Sequence, residues 1–429
     1  MDPTLTVVET THYSTSNIPF PALTICDTQI VYGPATNNIT NLLILRGYNE
    51  TEVEEFYGSF SKVKLKDYSP EPFVRKIHSL LDDLGYSWEI MLAQLRKPCE
   101  ELINDCTWRS KLHNCSTMFR SVFTIVGYCC QFDIPYFRAH AGKSTNYVSG
   151  VEITEALNVM VDVQKDSLAS GYLSLYVYDH QDEITLLDSP ITLTPGAYFD
   201  VNVYLWAIDS SPFVAALPMS VRKCIAASDE RVSAAFYQGC MSHLILRRVV
   251  NHCRCLPFQF KAKTLGVEDF PSCTWERLLC IYQMIEKTEV DIRGIIADSE
   301  CYQRCDYVQY ETEVEFIKNH RLSTVVNETS SRVSVHFADT TCMKYRREVL
   351  YTWDQMLANL GGIFGLCLGG SIISLLEIVW FLLDLLQASV KSLRKTTVTT
   401  PNTNIYHLRK KEIIRRKLTA FEPRLKFLN

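Results

Sequence analysis

The chain divides into two parts by the way apolar and polar residues alternate along it. Through the first part, short runs of strict alternation occur at Leu173–Val177, Phe199–Leu205 and Val333–Phe337, and this period of two predicts strands with one buried face. Helical spacing is found around Lys76–Arg96 and Asp229–Val250. Strands and helices mixed without a regular βαβ order indicate an α+β domain.

The second pattern is one long apolar stretch near the end of the chain. It runs from Met356 to Leu386, and its window Ile363–Leu383 contains a single charge, Glu377. This length is enough to cross a hydrocarbon core of about 30 Å. Including flanking residues such as Trp353, we predict a membrane span at 353–387.

Charge gives the predicted span an orientation. The segment Ser389–Asn429 contains eleven Lys/Arg and two acids, so it carries +9 while the residues before it carry −14. Basic residues that follow a span are typical of the cytoplasmic side. We therefore expect residues 388–429 to form a basic cytoplasmic tail and residues 1–352 to be an extracellular domain at the plasma membrane.

The composition of the span suggests more than an anchor. Small residues let helices approach closely, and they are frequent here: Gly361, Gly362, Gly365, Gly369, Gly370 and Ser371. A carboxylate such as Glu377 is costly in lipid and is expected to face a partner or water. The residues alone leave two interpretations open, a pore and a single-pass anchor of a receptor or adhesion protein.

Cysteine usage agrees with an extracellular domain. Fifteen of the sixteen cysteines lie between Cys26 and Cys342, a density typical of disulfides in an oxidising compartment. Zinc is the alternative for Cys253-x-Cys255 and Cys301-x3-Cys305, but such ligand pairs are normally closer and repeated. Glycosylation sequons begin at four asparagines, all before the apolar stretch: Asn38, Asn49, Asn114 and Asn327.

No motif for catalysis is found. The sequence contains no Gly-x-Ser-x-Gly elbow, no His-Glu-x-x-His pair and no phosphate-binding glycine loop. We therefore expect a protein that is not an enzyme, without a metal, a cofactor or a nucleic-acid partner.

Four motifs resemble the degenerin/epithelial sodium channel family, and the chain is most similar to its insect pickpocket branch. They are Phe20-Pro21-Ala22-Leu23-Thr24-Ile25-Cys26, Gly127-Tyr128-Cys129-Cys130-Gln131-Phe132-Asp133 with Asp where the family has Asn, Cys253-Arg254-Cys255-Leu256-Pro257-Phe258, and Leu357 through Gly369-Gly370-Ser371 to Glu377. The fourth is the most specific, and together they cover nearly the whole chain.

The resemblance implies a fold and an assembly. It implies a hand-like ectodomain of palm, finger, knuckle, β-ball and thumb, resembling acid-sensing channels, in a homo- or heterotrimer of related subunits. The disulfide-bridged thumb falls at about 222–306. The implied disulfides are Cys26–Cys129, Cys106–Cys115, Cys224–Cys305, Cys240–Cys301, Cys253–Cys280 and Cys255–Cys273, whereas Cys99, Cys130 and Cys342 are left unassigned.

The resemblance also implies an amiloride-sensitive sodium channel, with Na+ as the permeant ion. Its selectivity filter is expected at Gly369, Gly370 and Ser371, its gate at Ala358 and an acid at the pore mouth at Glu377. The stimulus and any extracellular ligand are left open. Because the family's first span is absent from the sequence, we expect a fragment or short isoform, and a non-conducting regulatory subunit is a further alternative.

Overall fold

The structure is a computed structural model that describes most of the chain in two units. The described residues are 4–27, 31–61, 71–124, 126–141, 150–163, 172–182, 184, 188–229, 237–257, 270–271, 273–274, 277–291, 294–295, 299, 301–317, 329–369 and 372–395. The two compact units are Met1–Leu350 and Tyr351–Asn429.

The described strands all belong to the first unit. In chain order they are β1 (Thr4–Ser14), β2 (Ala22–Asp27), β3 (Ile103–Trp108), β4 (Lys111–Leu112), β5 (Phe119–Thr124), β6 (Gly127–Phe132), β7 (Leu157–Asp162), β8 (Leu173–Tyr178), β9 (Ile191–Leu193), β10 (Tyr198–Ser210), β11 (Tyr307–Ile317), β12 (Ser330–Phe337) and β13 (Thr341–Val349). The three runs of alternation correspond to β8, β10 and β12, as predicted.

The larger sheet has eight strands and is organised around β10. Its order is β1-β13-β10-β12-β7-β3-β4, and β11 pairs with β10 as well. The β10 strand pairs in parallel first with β12 and then with β13, and it pairs antiparallel with β11 from Tyr198 to Ile208. Alternate β10 residues such as Val201 and Val203 are buried, because one face of the sheet packs into the core.

The smaller sheet has five strands in the order β5-β6-β2-β8-β9. Residues of both sheets share one hydrophobic core, which contains Phe20, Trp108, Phe132 and Phe137. The Phe20 and Trp108 rings meet edge to face with 5.1 Å between their centroids, an arrangement that aromatic pairs favour. This aromatic cluster connects the two sheets.

Helices supply a second core in the first unit. The described helices of the chain are Asn37–Leu45, Glu50–Ser61, Pro72–Asp83, Trp88–Leu95, Cys99–Leu102, Cys115–Met118, Ile134–Ala141, Pro212–Ala215, Met219–Arg222, Tyr237–Cys253, Leu278–Val290, Trp353–Leu368 and Ile372–Lys395. The second core joins the helices of residues 37–95 to Val249 and Ile281. The segment predicted as helical around Lys76–Arg96 is two helices, because Gly85 between them has φ of +83°, a backbone conformation that favours glycine.

Seven disulfides link the described cysteines of the first unit. They are Cys26–Cys129, Cys99–Cys130, Cys106–Cys115, Cys224–Cys305, Cys240–Cys301, Cys253–Cys280 and Cys255–Cys273. Six are the pairs implied by the resemblance, and Cys99–Cys130 joins two cysteines that the sequence left unassigned. The cysteines weighed as zinc ligands are thus disulfide-bonded, and Cys342 is a buried free thiol.

The length and composition of the described helices decide whether any of them could cross a bilayer. Among the residues that the structure describes, none of the helices combines the length and the apolar composition needed to cross a membrane.

Candidate functional site

The predicted pore segment begins with a capped helix. The backbone N–H of Thr352 donates to Oε1 of Gln355 at 3.2 Å, which satisfies a donor at the start of the Trp353–Leu368 helix. Ala358, the predicted gate, lies in the second turn of this helix with an exposed side chain. The cap therefore fixes where the helix starts, and Ala358 is open to contact from outside the chain.

Glycines of this helix have empty space around them within their own chain. A Cβ built at Gly362 or Gly365 would meet no atom within 4 Å. Packing inside the subunit therefore does not require glycine at these positions.

The chain leaves the helical conformation at the predicted filter. Gly369 has φ of +61° and ψ of 12°, a left-handed conformation that ends the helix after Leu368. Glycine adopts this conformation without steric cost and is the usual residue after a helix end. Gly370 and Ser371, the other predicted filter residues, lie outside the described residues, and a new helix begins at Ile372.

The second helix carries the predicted pore-mouth acid on an apolar surface. Glu377 lies in the Ile372–Lys395 helix and is exposed. Large apolar side chains of both helices are exposed as well, with Leu366 at 89% and Trp380 at 77% of their full areas. Apolar patches of this extent are typical of surfaces that meet a membrane or another protein.

Four asparagines are candidate sites for glycans. Asn38, Asn49 and Asn114 are exposed, whereas Asn327 lies outside the described residues. Asn49 Oδ1 accepts hydrogen bonds from Thr51 Oγ1 at 2.6 Å and from the N–H of Glu52 at 2.7 Å. This cap uses the amide oxygen of Asn49, so its amide nitrogen is left for a glycosidic bond.

A titratable cluster that sequence reasoning missed follows β8. Burial, together with the neighbouring charge of Asp179, raises the pKa of Asp182 to about 6. Burial also acts to raise the pKa of Asp179, yet hydrogen bonds from His180 and from the N–H of Gln181 lower it overall. Arg304 bonds to Gln181 from the segment between Cys301 and Cys305, so the cluster joins the β8–β9 connection to the disulfide-bridged region.

The run Asp179-His180-Gln181-Asp182 was visible in the sequence. Its burial was not, because the residues that cover it come from distant segments. Burial raises the pKa of Tyr310 of β11, and the charges of Asp179 and Asp182 raise it further. Groups of this kind change protonation with their surroundings and are candidates for functional sites.

Comparisons with known proteins agree with the motifs. The family model described as amiloride-sensitive sodium channel matches residues 1–381. The chain is 22% identical over 396 residues to Pickpocket protein 11 of Drosophila melanogaster, an alignment covering 88% of this chain and 65% of that protein. It is 20% identical over 348 residues to Sodium channel protein Nach of Drosophila virilis, covering 76% and 87%. It is also 20% identical to the human Bile acid-sensitive ion channel, covering 62% and 54%.

Proposed function

Because this chain belongs to the amiloride-sensitive sodium channel family, we propose that it is a subunit of a trimeric channel that conducts Na+ across the plasma membrane and is blocked by amiloride. The family is one of channels, not of enzymes. In this proposal the disulfide-rich first unit is extracellular, with its eight-stranded sheet as the palm and helices Tyr237–Cys253 and Leu278–Val290 in the thumb. The segment 353–387 is the second membrane span, and the tail is cytoplasmic.

The observation that carries the proposal is the break at Gly369 between two helices with exposed apolar side chains. In a membrane, non-helical backbone is tolerated only where protein or a water-filled cavity surrounds it. A break at mid-segment is therefore suited to the wall of a pore. A simple anchor has no use for it, because an unbroken helix satisfies its backbone groups better.

The chemistry of the break suits a small cation. Backbone carbonyls of Gly369 and Gly370 and the hydroxyl of Ser371 would replace part of the water shell of Na+. Side chains this small keep the oxygens of three subunits close to a common axis. Glu377, further along the second helix, would raise the local concentration of cations at the inner mouth.

The gate gives the most direct test. Ala358→Val adds two methyl groups at an exposed position of the first helix. If three such helices close around an axis, the larger side chain prevents closure and a constitutive sodium current results. We would record whole-cell currents from cells that express the full chain, alone and together with related subunits.

Ala358→Gly is the matched control, because it alters the same position without adding bulk. An amiloride-sensitive current in the Val variant and none in the Gly variant would support a gate at this position. If surface-expressed Ala358→Val carries no current in any subunit combination, the chain is a non-conducting or anchoring protein and the proposal fails.

A further inference from the structure

The outward side of the Tyr237–Cys253 helix carries charge of one sign. From Arg231 to Val267 the sequence contains six Lys/Arg and no Asp or Glu, although the residues before Ser389 carry −14. Exposed basic side chains cluster at the end of the helix, and we call them the basic ridge: Arg247, Arg248, His252 and Arg254. The opposite side of the helix is buried and apolar, as at Val249 and Val250.

The ridge has a defined geometry. Arg247 and Asn251 are four residues apart and lie on one side of the helix, and Arg254 follows directly after the helix end in a left-handed backbone conformation with φ of +56°. The N–H of Arg254 still donates to the carbonyl of Val250 at 2.8 Å. The end of the ridge is therefore held by the helix.

Disulfides fix the helix at both ends. Cys240 is bonded to Cys301, and Cys253 to Cys280, so the ridge keeps its spacing without a ligand. Binding to such a rigid surface loses little conformational entropy.

Most of the ridge's charge is not neutralised by its own chain. Arg248 Nη1 lies 3.1 Å from Asp291 Oδ2 in an exposed pair, and within the described part of the chain no ion pair reaches Arg247 or Arg254. One basic residue at a helix C-terminus is favourable because of the helix dipole. A row of like charges has no such benefit, since the charges repel each other. The row indicates an anionic partner.

We propose that the basic ridge binds a linear sulfated polysaccharide outside the cell, an inference that rests on the extracellular orientation given above. Arginine guanidinium groups bind planar or tetrahedral oxyanions through paired hydrogen bonds. Protein partners usually need a buried apolar anchor, and among the side chains described from 237 to 257 no large apolar one is exposed. A polyanion needs only the row of charges, since it gains affinity by releasing counterions.

Heparin is the probe for the test. Labelled heparin is added to intact cells that express the full chain, with surface biotinylation to normalise the amount of protein. In the double variant Arg247→Gln/Arg254→Gln we expect binding at 0.15 M salt to fall about tenfold, and the slope of log Kd against log salt to decrease by about two. The control double variant Arg46→Gln/Arg75→Gln removes two exposed arginines, one directly after the Asn37–Leu45 helix and one in the Pro72–Asp83 helix, and should leave binding unchanged.

The same comparison with purified full-length protein in detergent does not depend on delivery to the cell surface. In that experiment the basic C-terminal segment contributes equally to heparin binding by every variant, so it does not affect the comparison between variants. Equal losses of heparin binding in the ridge and control variants would overturn the proposal. Polyglutamate that competes as strongly as unlabelled heparin would also overturn it, because this would indicate that the partner is an acidic protein segment. Binding is read without any current, so its failure is distinct from the failure of the channel proposal.

Discussion

The two units of the chain differ in whether their aromatic side chains are buried or exposed. In the first unit, Trp108 is 1% exposed and lies in a core formed by both sheets. In the second unit, Trp353 is 81% exposed, and the large apolar side chains described on both helices are also accessible. Residues of the same chemical type are thus enclosed by their own chain in one unit and left outside in the other.

This difference shows which unit can be stable by itself. The first unit obtains stability from a shared core and from seven disulfides among the described cysteines. Among its described residues, the second unit buries little apolar surface, so we expect its stability to depend on contact with lipid or with another protein. Substitutions of matched residues in the two units should therefore give very different results.

The largest contrast is expected between the two tryptophans. Trp108→Ala removes a buried indole from the aromatic cluster and should lower the free energy of unfolding of the first unit by about 3–5 kcal/mol. Trp353→Ala should change it by less than about 0.5 kcal/mol, as is usual for exposed side chains. Denaturant titration of the detergent-solubilised chain, followed by near-ultraviolet circular dichroism, measures both. Equal losses would mean that the second unit has an internal core after all.

Cysteine substitutions should give the next largest difference. Cys224 and Cys305 are fully buried and close a loop of 81 residues. Replacing both by Ser should lower the free energy of unfolding by about 2–4 kcal/mol. Cys367 of the second unit is a free, exposed thiol, so Cys367→Ser should leave the unfolding midpoint where it is. A midpoint shift with Cys367→Ser would reveal a bond that this thiol makes in the assembled protein.

Local patterns predicted much of the fold but not its long-range connections. The alternation at Phe199–Leu205 was sufficient to predict the strand β10, because one face of that strand is buried in the core. The parallel pairing of β10 with β12 and β13 was not predictable, since it joins residues more than 130 positions apart. Gly85 was the visible signal for the break in the Lys76–Arg96 segment.

The unassigned cysteines show where more could have been inferred. Cys129 and Cys130 are adjacent in β6, and neighbouring side chains in a strand point to opposite faces. Cys129 therefore bonds Cys26 directly across from it on β2, while Cys130 bonds Cys99 on the other face. Strand periodicity alone was enough to predict that Cys129 and Cys130 have different partners, whereas the identity of the Cys130 partner required the fold.

For the predicted pore, the sequence motif contributes more than the structure of the described residues does. Its residues were proposed from the motif, and the structure adds that the chain turns out of the helix at Gly369. Gly370 and Ser371 lie outside the described residues. A single chain's sequence contains the residue types for this site but not the distances between them.

The helical core contains a buried histidine that should make the stability of the first unit depend on pH. His78 lies against Phe56 in that core, and burial lowers its pKa from 6.5 to about 3. The unfolded chain therefore binds a proton between these values and the folded chain does not, so stability is lost as pH falls from about 6.5. The loss caused by His78 should approach about 1.4 kcal/mol per pH unit, and this contribution should be absent in His78→Phe. His140→Phe, which alters an exposed histidine, should keep the full pH dependence.

The smallest effect is expected at Lys344 of β13, the strand that continues along the chain into the second unit. Its Nζ lies 2.6 Å from Asp209 Oδ2 and 3.2 Å from Glu9 Oε2, so one charge joins β10, β13 and β1. Lys344→Gln should lower the free energy of unfolding by about 1 kcal/mol, because the two carboxylates are partly exposed and screened.

Salt and pH identify the origin of this effect. High salt should reduce the difference between Lys344→Gln and wild type, since screening weakens the ion pairs. The hydrogen bond to Asp209 is the main cause of the raised pKa of Lys344, so the stabilisation should persist below pH 10.5 and disappear as pH rises through the higher folded value. Lys76→Gln, which alters an exposed lysine on the Pro72–Asp83 helix, should show neither the response to salt nor the response to pH. A difference unchanged by salt would mean that Lys344 acts mainly through its contact with the Tyr13 ring, whose centroid lies 4.9 Å from Nζ, and not through the two carboxylates.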